Sequence, residues 1–179
     1  KIKTLTASSS ATLSFVDGTS DVVLDGTYAE YIFLFVGIHP QTDDETFSFN
    51  LSIDAGSNYN VTKTTSYWRA YNTENASATS LAYSSGYDLA QGTGFHNLNV
   101  ALGGDNDQAS VGILHLFNPS STTFVKHFII QTTSATGSDF SVHTFISGYG
   151  NTTSAVDAIQ FKMSSGNIDA GTITLYGLN

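Results

Sequence analysis

No cysteine occurs in this chain, so no disulfide framework braces it, and its redox compartment cannot be read from thiols. Cationic side chains are equally scarce. Lys1, Lys3, Lys63, Arg69, Lys126 and Lys162 are the whole set, scattered along the sequence, and the net charge is −9. Nucleic-acid binders neutralise phosphates with clustered cations, so nucleic acid is excluded as a partner, and an anionic membrane surface is disfavoured for the same reason. The longest apolar run, Tyr31–Ile38, is interrupted by Gly37 and falls far short of the roughly 20 residues a membrane-spanning helix needs. The two prolines, Pro40 and Pro119, follow apolar stretches, where a missing N–H does no harm. No signal peptide is visible, and the first residue is Lys1 rather than methionine, which leads us to expect a processed chain or a fragment.

What is present is repeated alternation. In Thr46–Ile53, Phe47, Phe49, Leu51 and Ile53 fall on one face, and Thr46, Ser48, Asn50 and Ser52 on the other. Strand side chains alternate with a period of two, so this segment reads as a half-buried strand. The same pattern predicts strands over 12–16, 29–38, 61–71, 95–102, 111–118, 123–133, 139–149, 156–163 and 171–178. Turn sequences separate them, among them Asp17-Gly18, Asp25-Gly26, Gly103-Gly104-Asp105 and Ser165-Gly166-Asn167. A short helix is conceivable only over Glu74–Tyr83. At 179 residues, with no linker or composition break, the expectation is one domain over 1–179: an all-β, antiparallel β-sandwich, jelly-roll-like, with its first and last strands near one another in space.

Two segments depart from half-burial. Tyr31–Val36 is apolar on both faces; in Val111–Phe117, Val111, Ile113 and Phe117 line one face and Leu114 and Leu116 the other. A sandwich strand needs one apolar face, so the second must meet either another subunit or a covering loop. If subunits meet there, Leu114→Asp or Leu116→Asp should dissociate them, or unfold the chain if that face is core.

Candidate chemistry is sparse. His39, His96, His115, His127 and His143 are the only bases near neutral pH, and a three-histidine metal site could be assembled across strands. No His-x-His spacing supports one, so histidines hydrogen-bonded in a core or at a subunit contact are favoured. Gly103-Gly104-Asp105-Asn106-Asp107 and Asp43-Asp44-Glu45 offer oxygen ligands for calcium but lack a distal bidentate Glu, and Asp and Asn favour turns for local reasons. There is no Gly-x-Ser-x-Gly elbow, and Gly148-Tyr149-Gly150 opens no helix that would make a phosphate loop. The glycosylation triplets at Asn50, Asn60, Asn75 and Asn151 are no more than a Ser/Thr-rich chain yields by chance. No catalytic, cofactor-binding or metal-ligating residue is assigned, no cofactor is implied, and the chain is not read as an enzyme.

The densest aromatic stretch is Tyr67-Trp68-Arg69-Ala70-Tyr71. Tyr67, Arg69 and Tyr71 share a face that could stack on sugar rings, or could form a cross-strand or intersubunit contact. Trp68, flanked by small Ser66 and Ala70, is predicted to pack inward.

The segment Ala158–Leu178, AIQFKMSSGNIDAGTITLYGL, resembles the C-terminal ending of virion structural proteins of tailed bacteriophages, especially those of marine hosts. Tyr31–Asp44 (YIFLFVGIHPQTDD), Phe49–Tyr71 and Gly112–Lys126 (GILHLFNPSSTTFVK) are similar in style, and together the blocks span most of the chain. The resemblance implies a component of the particle surface: capsid decoration, head fibre or tail fibre, located on the virion. It implies partners among other virion proteins and copies of itself, with a homotrimer expected because phage fibres and spikes are commonly threefold. Proteins of this style often carry an N-terminal attachment region, whereas this sequence begins directly at its first strand. A carbohydrate-binding adhesin or receptor-binding domain for host surface glycans is the alternative.

Overall fold

Alternation drives the architecture. In the computed structural model, which describes residues 1–179, the chain forms twelve strands and no helix. They are β1 (Lys3–Thr6), β2 (Leu13–Val16), β3 (Glu30–Pro40), β4 (Phe47–Ser52), β5 (Lys63–Thr73), β6 (Thr79–Tyr83), β7 (His96–Asn97), β8 (Ser110–Phe117), β9 (Lys126–Ala135), β10 (Phe140–Gly150), β11 (Ala158–Met163) and β12 (Ile168–Leu178). Along β9, Phe128, Ile130, Thr132 and Ser134 are buried while His127, Ile129, Gln131 and Thr133 are exposed. No helix is present that is long and apolar enough to cross a membrane.

The strands form two antiparallel sheets. One has eight strands in the order β1-β12-β3-β8-β9-β10-β5-β6, the other four in the order β2-β11-β4-β7. The sheets face each other across a shared core, which makes the fold an all-β sandwich. The chain crosses between sheets at nearly every connection; only β5–β6 and β8–β9–β10 continue within one sheet. The first and last strands pair, Lys3 opposite Leu175 through Thr6 opposite Thr172.

Phenylalanines fill the centre. Phe161 on β11 lies 5.3–6.5 Å, centroid to centroid, from Phe15, Phe33, Phe35, Phe47 and Phe49, drawn from both sheets. Offset and edge-to-face pairs of this kind add to the area they bury. Gly171 sits at φ +112°, and a Cβ there would meet the Gly37 carbonyl at 2.5 Å. The register of β12 against β3 shifts at this point, so the two strands bend together where only glycine allows the approach.

Several sequence expectations change. Glu74–Tyr83 contains no helix: β6 pairs with β5, Trp68 opposite Tyr83 and Ala70 opposite Leu81, and this ladder supplies the backbone partners. The predicted strand over 95–102 shrinks to His96–Asn97. Beyond it the Asn99 side chain accepts from the Phe47 N–H at 2.9 Å, in place of a backbone carbonyl. β1, with one apolar residue in four, carried too little signal to be read. β4 is buried on both faces rather than one, because its polar side chains are folded under: Asn50 donates to the carbonyls of Tyr59 and Thr93, and Ser48 to that of Lys162.

Trp68 corrects a specific expectation. It is 51% exposed and points outward. Lys63, Thr65 and Tyr67 are the inward residues of β5, so their odd-numbered register sends Trp68 to the other side, whatever space Ser66 and Ala70 leave. Leu114 and Leu116 are both fully buried in the sandwich core. Aspartate at either would strike the fold itself.

Candidate functional sites

The second apolar face foreseen for β3 and β8 exists, and it is the outer surface of the eight-stranded sheet. Registers set its residues in rows. One row runs Leu34, Ile113, Gln131, Phe145, Trp68, Tyr83 across β3, β8, β9, β10, β5 and β6. A flanking row holds Ile32, His115 and Ile129; the other holds Val111, Thr133, His143, Ala70 and Leu81. Of the eleven large hydrophobic side chains the protein exposes, eight lie here: Leu34, Val36, Trp68, Leu81, Tyr83, Val111, Ile129 and Phe145. No charged side chain interrupts the rows. Glu30, at one end, is bonded to His115, and at the other end His39 stands 3.9 Å from Asp169. Edge and face charges are the ordinary protection of an open sheet, and this face has none across its middle.

The inner face of the same sheet is longer than the four-stranded sheet that covers it. Arg69 and Tyr71 on β5 therefore look onto loops rather than strands, and with Tyr87, Val100, Ala101, Thr136, Ser138, Phe140 and Val142 they line a pocket of about 180 Å³. The Arg69 guanidinium lies 5.9 Å from the Tyr71 ring centre and 5.5 Å from that of Tyr87. Tyr71 stacks on Phe140 at 5.3 Å with a 9° interplanar angle, and Tyr87 on Tyr67 at 5.3 Å. Tyr67 itself is fully buried and its hydroxyl meets that of Thr144 at 3.5 Å; burial pushes its pKa up to about 12. The aromatic face read from the sequence is thus split: Tyr67 belongs to the core, while Arg69 and Tyr71 open on a pocket. Tyr87 and Phe140, distant in sequence, complete it.

The histidines do not converge. His96 is buried, its ring 6.1 Å from those of Phe49 and Tyr67, and neither nitrogen has a hydrogen-bond partner. Burial, with the Lys63 charge as a second cause, pushes its pKa down to about 3. It is core without the hydrogen bonds expected of it. His115 pairs with Glu30, His143 stacks on Phe145 at 4.3 Å, His127 meets Tyr149 edge-on, and His39 Nε2 lies 3.2 Å from the Asp105 carbonyl. No three His, Asp or Glu side chains are grouped to hold a metal ion. The two acidic turns do come together, but as mutual support: Asp43 accepts from the Gly104 N–H at 2.8 Å.

Two lysines are fully buried. Lys63 Nζ donates to the Asn50 side chain and to the Val61 carbonyl, the latter at 2.8 Å, and burial lowers its pKa to about 7. Lys126 Nζ donates to the Phe124 and Thr152 carbonyls at 2.7 and 3.1 Å. Both tie loops to the end of the sandwich. Asn50 is buried, so its glycosylation triplet is inaccessible in the folded chain; Asn60, Asn75 and Asn151 are exposed.

No protein-family model matches this sequence, and neither a curated protein nor a solved structure matches the chain.

Proposed function

We propose that the chain is a non-enzymatic structural component on the exterior of a bacteriophage particle, a decoration, fibre or spike protein that assembles with copies of itself. The phage setting rests on the sequence resemblance. The observation that carries the assembly role is the uncharged apolar outer face of the eight-stranded sheet. Six strands about 4.8 Å apart and three rows about 7 Å apart give a patch on the order of 600 Å². A standard interface covers roughly 800 Å² per partner, so the patch would form the centre of one, with a polar rim supplying the rest. Burying it would contribute on the order of 15 kcal/mol before association costs. We assign a closed homotrimer on the virion surface, beside other virion proteins.

The strand order supports a jelly-roll form of the sandwich. β2-β11-β4-β7 corresponds to one four-stranded sheet of that topology, and β3, β10, β5 and β6 to the other, with β8–β9 inserted between β3 and β10 and β12 and β1 added outside. A second reading, a carbohydrate-binding adhesin, is favoured by the Arg69 pocket and is compatible with the first.

Light scattering on the purified 19.0 kDa chain tests the assembly reading. A trimeric mass is expected, with Phe145→Asp, a substitution on the exposed face, yielding monomer with an unchanged far-UV spectrum. A wild-type monomer at micromolar concentration would overturn it. Cryo-microscopy of an intact particle, with this fold absent from its exterior, would overturn the phage assignment.

A further inference from the structure

Arg69 is the only arginine in a chain of net charge −9, yet it has no acidic partner. The protein's two acid–base pairs are His39–Asp169 and His115–Glu30. The guanidinium is instead held between two tyrosine rings, and the pocket it faces contains no Asp or Glu. A cation so placed has its position fixed and its N–H donors unspent. On an acidic protein surface this is the one cationic side chain among the residues that line a small concavity.

The chemistry of the lining narrows the ligand. A guanidinium presents its donors in a planar fork that matches a carboxylate with two parallel hydrogen bonds. Tyr71, Tyr87 and Ser138 line the same pocket and carry hydroxyls that can donate to or accept from ligand hydroxyls, while Phe140 and Val142 offer apolar surface for C–H groups. A volume of about 180 Å³ has room for one monosaccharide ring and no more. The faces of Tyr71 and Tyr87 are already taken up by Phe140, Tyr67 and Arg69, so recognition by stacking a neutral sugar on an open ring is not available. A ligand with a planar anionic group, several hydroxyls and the size of one sugar ring is a hexuronic acid.

We propose that the pocket at Arg69 binds the carboxylate of a single hexuronic-acid residue in an acidic polysaccharide. The proposal rests on the adhesin reading and gives it a site and a ligand class. The guanidinium would hold the carboxylate, the hydroxyls would orient the ring, and neighbouring sugars would extend into solvent.

Calorimetric titration of the full chain tests this with three probes: a galacturonate trisaccharide, its neutral galactose counterpart and a sulfated galactose trisaccharide. The acidic probe is expected to bind with millimolar or tighter affinity, at least tenfold better than the neutral one, and to weaken as salt is raised. Arg69→Gln should lose at least tenfold. Arg69→Lys, which keeps the charge but not the fork, should also lose several-fold, and it serves if the glutamine variant proves unfolded by circular dichroism. Lys3→Gln, which removes one charge elsewhere, should bind as wild type. Equal binding of acidic and neutral probes would overturn the carboxylate site while leaving the adhesin reading standing. Preference for the sulfated probe, or undiminished binding by both Arg69 variants, would also overturn it. Binding of no probe would overturn the site and the adhesin reading together, and the assembly reading would still be decided separately by light scattering.

Discussion

His96 makes the protein's acid stability a test of its core packing. Its ring is enclosed beside Phe49 and Tyr67 with both nitrogens unpartnered, and burial holds its pKa at about 3, against 6.5 for an exposed histidine. Because the folded-state pKa lies below the unfolded one, the unfolded chain takes up a proton between pH 6.5 and 3 that the folded chain does not. Stability must therefore fall as pH falls through this window. At pH 5, about 1.5 units below the unfolded pKa, the loss is about 2 kcal/mol at ~1.4 kcal/mol per unit, a large share of the roughly 5–15 kcal/mol typical of a folded domain. His96→Phe keeps an aromatic ring among aromatic neighbours and removes the titration. Urea denaturation of both proteins at pH 7 and pH 5, at one protein concentration, should show wild type losing about 2 kcal/mol more than the variant. At pH 7 the variant should be at least as stable, since no hydrogen bond is given up. Equal losses in the two proteins would refute the burial of an uncharged His96.

Lys63 should give the complementary signature at high pH. Its folded pKa of about 7 lies below the usual 10.5, so stability should rise between those values by up to about 1.4 kcal/mol per pH unit, and Lys63→Met should flatten that rise in the same denaturation assay. Phe161→Ala removes the ring that joins five other phenylalanines, and should cost about 3–5 kcal/mol, read as a lower midpoint in thermal or urea unfolding. Gly148→Val would place a Cβ 2.6 Å from the Thr64 carbonyl; a loss of about 1–3 kcal/mol is expected, and an unchanged midpoint would contradict the close approach of β10 and β5. Trp68 should emit at long wavelength and be quenched by iodide in dilute, dissociated protein, then shift to the blue as the outer face is covered on assembly.

The sequence by itself determined the all-β class, most strand positions and the excess of apolar surface on β3 and β8. These are local properties: alternation along a few residues and turn-forming pairs are written in neighbouring positions, and each strand carries its own signal. What only the tertiary structure decided is which face of each strand looks inward and which distant residues meet. Tyr67 and Trp68 are adjacent aromatic residues on β5, and the small Ser66 and Ala70 beside Trp68 favoured sending its ring inward. The register that places Lys63, Thr65 and Tyr67 opposite the four-stranded sheet sent it out. The short β1, with one apolar residue in four, carried no alternation to read, and the predicted strand over 95–102 ends at Asn97, where the Asn99 side chain takes the place of a backbone partner for Phe47. Likewise the Arg69 pocket joins β5 to Tyr87 and to the turn before β10, and the outer apolar face joins six strands into one surface. Neither spacing nor composition encodes such meetings, because a sheet brings residues together through hydrogen-bond register across strands rather than through proximity in the chain.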